Sequence, residues 1–264
     1  MKLVPSALSL CHQQLILLAP YGSSVPTQFR NARIDPCWYG STIVDMQKMR
    51  GRIYLEEGAI TKHQLDANGR HHSPADTDSW HLLTLNEHGS VSGCVRYREH
   101  LSSVSFQELG VKNSALAECG QWGTKFRAAV ESDLEVARRR KVSVVEVGGW
   151  ALAKERRCTG EALRTALAMY ALAQILGDCV GMATATVRNR AASILRRIGG
   201  QDLEHGGETL PPYYDPQYKC RMEILRFTAR TPNPKYWRWI DQIAADLLEV
   251  PVLSLTSPVT SRVA

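Results

Sequence analysis

The sequence predicts a mixed α/β domain, a central sheet with helices on both sides. Three observations lead there. Residues 142–147 gather Val142, Val144, Val145 and Val147, the composition of a strand buried on both faces. Residues 161–176 read as a helix that is apolar nearly all round (Leu163, Leu167, Met169, Tyr170, Ile175 and Leu176 among others) and must pack deep against that sheet. Residues 80–86 and 91–98 read as two strands, joined by the turn Glu87, His88, Gly89, Ser90 into a hairpin.

In chain order, residues 1–45 carry Pro5, Pro20, Pro26 and Pro36 without sustained periodicity, and are expected to be an irregular extension with at most a short helix. The hairpin follows. Phe126, Val130, Leu134 and Ala137 then place a helix over 125–141, with Arg138, Arg139, Arg140 and Lys141 at the C-terminal end that suits cations. The Val-rich strand (141–153) feeds the helix 161–176, which Gly177 terminates. A strand over 179–187, a helix over 190–198 stopped by Gly199 and Gly200, and a strand over 218–227 come next. Asn233 caps a last helix that starts with Pro234 and carries Trp237, Ile240, Ala244 and Leu247 on one stripe. Residues 46–250 are expected to form the domain, and residues 251–264 a frayed tail.

The chain has 264 residues, 44% hydrophobic and 22% charged, which excludes wholesale disorder. A net charge of +6 favours anionic partners without choosing among phosphates, an acidic carrier protein and nucleic acid. Seven cysteines are scattered with no C-x-x-C pair and no close His/Cys cluster, so neither a disulfide framework nor a metal site is expected, and a cytoplasmic setting fits. No apolar run reaches the length of a transmembrane span. The apolar stretch 15–19 follows Cys11, His12, Gln13 and Gln14, which interrupt what a secretory signal would need.

The segment that carries chemistry joins the Val-rich strand to the apolar helix. It contains Arg157-Cys158-Thr159-Gly160-Glu161-Ala162, an R-x-x-G-x-A pattern. The first N–H groups of a helix are unpaired and, with the dipole, favour anions. Gly160 allows close approach of a phosphate, Ala162 leaves the first turn uncrowded, and Arg157 adds charge. There is no G-K-[ST], no G-x-G-x-x-G and no G-x-S-x-G. An isolated match would be an ordinary strand–helix turn; its place between the most strand-like run and the most apolar helix gives it weight.

In this setting the segment resembles the phosphate loop of the GNAT superfamily of N-acyltransferases, [QR]-x-x-G-x-[GA]. The stretch 189–200, led by Asn189 and ending in Gly199 and Gly200, looks like the asparagine-led helix after that fold's next strand. Within the superfamily, residues from about 50 to about 251 look similar to the acyl-homoserine-lactone synthases and N-acyl amino acid synthases. The features are Arg52 and Tyr54, Asp76 and Asp78, Arg96, and Glu146 in V-E-V-G-G-W. The resemblance implies a mostly antiparallel central sheet flanked by helices. It implies a thioester donor, acyl-CoA or an acyl-phosphopantetheine on acyl carrier protein, and no tightly bound cofactor. Two departures stand out: Leu195 where many relatives carry a proton-donating tyrosine, and Gly149 where the lactone synthases carry an arginine.

The expected activity is direct transfer of an acyl group to the amine of an amino acid or related small molecule. By the same resemblance, Arg157, Cys158, Thr159, Gly160, Glu161, Ala162 and Asn189 bind the donor, and backbone N–H groups near Trp150 and Leu152 face the thioester. Burial would raise the carboxyl of Glu146 toward a useful base; equally, it could sit in a structural salt bridge to Arg96. Arg96 could bind an acceptor carboxylate bidentately or pair with Glu146 or Asp78. Asp78 could orient the acceptor segment, and Tyr214 line its pocket. His63, His71 and His72 are expected in solvent. Arg138, Arg139, Arg140, Arg196 and Arg197 are candidate carrier-docking residues. The competing reading is a non-catalytic acyl-thioester sensor or nucleic-acid-binding module on a degenerate fold of this type; without aromatic residues interleaved with the arginines, no nucleic-acid partner is expected.

Overall fold

The computed structural model describes residues 15–256. A single large sheet has the strand order β10-β11-β6-β5-β4-β3-β1-β12-β2, with β7 also on β11. Its strands are β1 (Leu15–Leu18), β2 (Ala32–Ile34), β3 (Ser79–Leu85), β4 (Val91–His100), β5 (Ser143–Leu152), β6 (Cys179–Thr186), β7 (Gln201–Asp202), β10 (Tyr213–Asp215), β11 (Cys220–Thr228) and β12 (Val252–Ser254). The short β8 (Glu204–His205) and β9 (Glu208–Thr209) form a separate pair. Only β5–β6, β1–β12 and β12–β2 are parallel; the other pairings are antiparallel. The expected mixed, mostly antiparallel sheet is therefore present.

Among the described residues five helices cover it: α1 (Pro36–Glu56), α2 (Gly123–Arg140), α3 (Glu161–Leu176), α4 (Ala191–Ile198) and α5 (Trp237–Glu249). Alternate residues of β5 show why both faces are buried. Val145 packs with α3 and α5, whereas Val144 packs with Phe126, Val130 and Leu134 of α2. Helix α3, buried from Thr165 to Ala173, is the central helix of its layer. On the opposite face α1 lays Tyr39, Met46, Met49 and Ile53 against Ile16, Leu18, Leu83 and Leu253.

The two chain ends differ from expectation. Residues 15–18 are not irregular: they form β1, buried between β3 and β12. The apolar stretch 15–19 is thus core. Helix α1 begins at Pro36, with the Asp35 side chain accepting from the Trp38 N–H at 2.9 Å, so a domain boundary at 46 would cut through it. Residues 252–254, expected to fray, pair in parallel with both β1 and β2. The physical cause is closure of the sheet: β12 brings its own main-chain partners to two short strands that neither alternation nor length marks. Expectations for residues 1–14 and 257–264 lie outside the described residues.

Candidate functional site

Strands β5 and β6 build the centre of the site. They pair in parallel only as far as Val147 and Ala183, yet β5 runs on to Leu152 and β6 to Thr186. Beyond Val147 the main chain of β5 therefore has no strand opposite it on the β6 side. On the β4 side the register passes from Arg96–Gly148 to Cys94–Ala151, so Gly149 and Trp150 face Val95 alone. This is a β-bulge, and Gly149 occupies the left-handed region at φ +61°, as its first residue should. A Cβ there would lie 3.3 Å from the Cβ of Arg96 and 3.7 Å from Nη1 of Arg50. A side chain at Gly149 would therefore be strained and would crowd Arg96.

At the carboxyl end of β5 the chain makes a turn and enters α3. Cys158, Thr159 and Gly160 are exposed, so the expected phosphate loop is open to solvent. Cys158 has φ +59°, unusual for a residue with a Cβ. Thr159 Oγ1 donates to the Arg156 carbonyl (2.7 Å) and accepts from the Glu161 N–H (3.1 Å), which fixes the turn. Arg157 Nε donates to the Leu152 carbonyl (3.2 Å), and its Nη2 lies 2.8 Å from Glu57 Oε1. Asn189, at the carboxyl end of β6, donates to the other oxygen of Glu57 (3.0 Å). The loop and Asn189 thus face the same carboxylate. Glu161 itself is buried, and burial raises its carboxyl against the opposing pull of Arg164 and Arg156.

Within the splay, Val95, Val147, Trp150, Tyr170, Leu195 and Phe227 line an apolar cavity between the sheet, α3 and α4. Leu195 is part of this wall, so the position that the resemblance gives to a tyrosine contributes only hydrocarbon.

A polar cluster lies on the other face of β4 and β5. Arg50, 1% exposed, donates through Nη1 and Nη2 to the two oxygens of Asp76 (2.8 and 2.7 Å) and through Nη2 to the His71 carbonyl (2.7 Å). Gln47 Nε2 also donates to Asp76 (3.0 Å). Burial alone would raise the Asp76 carboxyl, but these bonds and the Arg50 charge hold it well below the usual carboxylate range. Arg96 donates from Nη1 to Ser73 Oγ (2.8 Å) and stands 3.6 Å from Asp76. Three buried polar atoms here, Arg50 Nε, Arg96 Nε and His71 Nδ1, have no hydrogen-bond partner among the described residues. The rings of Tyr54 and Tyr218 meet edge-on 6.2 Å apart beside the cluster, and burial holds both phenols protonated.

Several sequence expectations are corrected by this geometry. Glu146 is not raised toward a base. Burial pushes its carboxyl up, but His100 Nε2 (3.1 Å) and the N–H groups of Gly110 and Val111 (2.9 Å each) outweigh that and lower it. Its side-chain neighbours are His100 and, at 4.0 Å, Arg98, not Arg96. Asp78 pairs with Arg98 at 3.1 Å instead of Arg96. Tyr214 is exposed on the edge strand β10, whereas Tyr213 beside it is buried and Tyr218, after the turn, packs against Tyr54. His63 and His72 are exposed as expected, but His71 is partly buried beside Tyr54. Arg52 is exposed, and Arg50 is the arginine of α1 that is buried in the polar cluster. The Arg50–Tyr54 spacing of one helical turn was the signal that could have found it. Arg138 and Arg139 face Glu135, and Arg140 pairs with Asp178. Arg196 pairs with Asp202 and Glu223. Glu135 is thus shared by two of these arginines, and Asp178 is shared by Arg140 and Arg230.

Among the described residues no helix is long and apolar enough to cross a membrane, and no group of three or more His, Cys, Asp or Glu is arranged to hold a metal ion. No protein-family model matches the chain, and no curated protein sequence matches it. Solved structures do. A CoA-dependent acyl-homoserine lactone synthase, BjaI, solved with SAM and isopentyl-CoA, superposes with a TM-score of 0.54 at 12% identity, over 92% of this chain and 93% of that one. The same enzyme with MTA gives a TM-score of 0.53 at 12% identity and equal coverage. FeeM, an N-acyl amino acid synthase from uncultured soil microbes, aligns at a TM-score of 0.45 and 10% identity, over 75% of this chain and 88% of that one. With the split β5–β6 pair, the bulge and the loop before α3 in place, the chain has the fold seen in the lactone synthase BjaI.

Proposed function

We propose that the protein is an N-acyltransferase that moves an acyl group from a phosphopantetheine thioester, acyl-CoA or acyl-carrier protein, to the amine of an amino acid. The observation that carries this reading is the coincidence of three features at one point. The open turn 157–160 sits at the head of α3, β5 leaves β6 beside it, and an apolar cavity lies in the gap. A phosphate on the turn, a pantetheine along the unpaired edge of β5 near Trp150 and Leu152, and an acyl group toward the cavity follow one continuous line. The likeness to BjaI, solved with isopentyl-CoA, supports the donor class.

The acceptor side rests on charge. Arg50 and Arg96 bring two cations, and Asp76 offers one anion. The unpartnered Nε of Arg96 belongs to the edge of a guanidinium that binds a carboxylate bidentately. An amino acid carboxylate would balance the cluster and leave its amine near the bulge. The amine nitrogen then attacks the thioester carbonyl, the carbon–sulfur bond breaks, and the thiolate gains a proton as the amine loses one. Main-chain N–H groups of the bulge would meet the developing oxyanion. Glu146 does not serve as the free base, because three donors already occupy it; it holds the segment 106–113 against the sheet.

The deciding experiment incubates the protein with acyl-CoA or acyl-carrier protein and pooled amino acids and reads N-acyl products by mass spectrometry. A product that disappears in Arg96→Ala is expected. Thioester binding without product would favour the second reading, a sensor, which the hydrocarbon wall at Leu195 makes specific.

A further inference from the structure

Glu57, just past the last residue of α1, is the least expected member of the donor site. Its Oε1 lies 2.8 Å from Arg157 Nη2, its Oε2 accepts from Asn189 Nδ2 at 3.0 Å, and its carbonyl accepts from Arg188 Nη2 at 3.0 Å. Glu56 adds a contact to Lys154 Nζ at 3.1 Å. The end of α1 is thereby fastened to both lips of the split, the turn after β5 and the turn after β6. The two side chains best placed to meet a donor phosphate are thus engaged by an anion of the chain itself.

We propose that Glu57 is a built-in competitor for the donor site: its carboxylate holds Arg157 and Asn189 until a phosphate of the thioester carrier displaces it. This rests on the reading of the 157–162 turn as the donor site. The physical argument is exclusion. One guanidinium edge cannot serve two anions in the same geometry, and a second anion beside Glu57 would meet like-charge repulsion. A phosphate carries more charge and more acceptor oxygens than a carboxylate, so it can take the contact, but it binds more weakly by the free energy of the latch. A half-exposed ion pair of this kind corresponds to about a three- to fivefold weakening. Displacement also removes the carboxylate's share of that fastening at the end of α1, whose preceding turns carry Tyr54 and Arg50, so donor occupancy would be felt at the acceptor cluster.

The test is calorimetric titration of the full chain with CoA, and with pantetheine, which has no phosphate. Wild type, Glu57→Gln and Glu57→Ala are compared. CoA should bind about three- to fivefold tighter to both variants, with pantetheine unchanged. Glutamine keeps the size of the side chain, so this variant decides the matter if alanine impairs folding. CoA affinity that is unchanged or weaker in Glu57→Gln would overturn the proposal and make Glu57 a positioning residue or a bystander. CoA that binds neither wild type nor either variant would overturn the donor-site reading as well.

Discussion

Glu146 illustrates how a residue's role follows from its partners instead of its type. A carboxylate in an apolar strand was expected to be raised by burial, yet two main-chain N–H groups and His100 hold it charged. Replacing Glu146 with Gln removes one acceptor oxygen and turns an NH2 toward these donors. We expect a loss of about 2 kcal/mol in denaturant unfolding, and a pH–rate profile of unchanged shape. A variant of full stability that has lost the acidic limb of the profile would restore the base role. Cys158 is the converse case, a side chain that matters through its backbone. At φ +59° any Cβ is strained, and a β-branched one more so. Cys158→Ala should keep CoA affinity within about twofold, whereas Cys158→Val should be about 1 kcal/mol or more less stable than the alanine variant. An alanine variant that abolished turnover while still binding CoA would show that the thiol itself takes part.

At the scale of elements, legibility depended on whether a segment declares itself locally. Strand β5 and helix α3 did: one is Val-rich and the other apolar nearly all round, and each is buried as that composition requires. Strands β1 and β12 did not, because four- and three-residue runs carry no period and gain their hydrogen bonds from each other, β3 and β2. Helix α1 concealed itself differently. Its buried face includes Thr42, Gln47 and Arg50, so the apolar stripe is broken, although Asp35-Pro36 is a readable helix start. Gln47 and Arg50 are buried there as partners of Asp76. The Arg50–Asp76 pair clamps it to the segment before β3. Arg50→Met should therefore cost about 3–5 kcal/mol, because it strands a buried carboxylate, and Arg50→Met combined with Asp76→Leu should recover much of the loss. Equal stability of the single and double variants would mean that the pair does not hold these elements together.

At the scale of the whole molecule, the 157–162 motif was readable because its residues are consecutive, whereas Glu57, which joins Arg157 to Asn189, reaches it only through the fold. The polar cluster around Asp76 was not readable, because it is assembled from α1, the segment 71–76 and β4, which only the fold brings together. The same assembly buries His81, 1% exposed, under Asp76, with its Nε2 2.8 Å from the Asp76 carbonyl. Burial lowers its pKa from 6.5 to about 4, although the bond to Asp76 and the Asp76 charge pull the other way. The unfolded chain then binds a proton through the range from 6.5 to 4 that the folded chain refuses, so stability is full above that range and falls as the pH drops through it. The loss reaches about 3 kcal/mol. Asp76, also held below its unfolded value, continues the decline at lower pH. Melting temperatures of wild type should therefore fall between pH 6.5 and 4, and His81→Asn should flatten that part of the curve, since asparagine does not titrate. Parallel curves for the two proteins would place the acid sensitivity elsewhere and show that this histidine titrates freely in the folded chain.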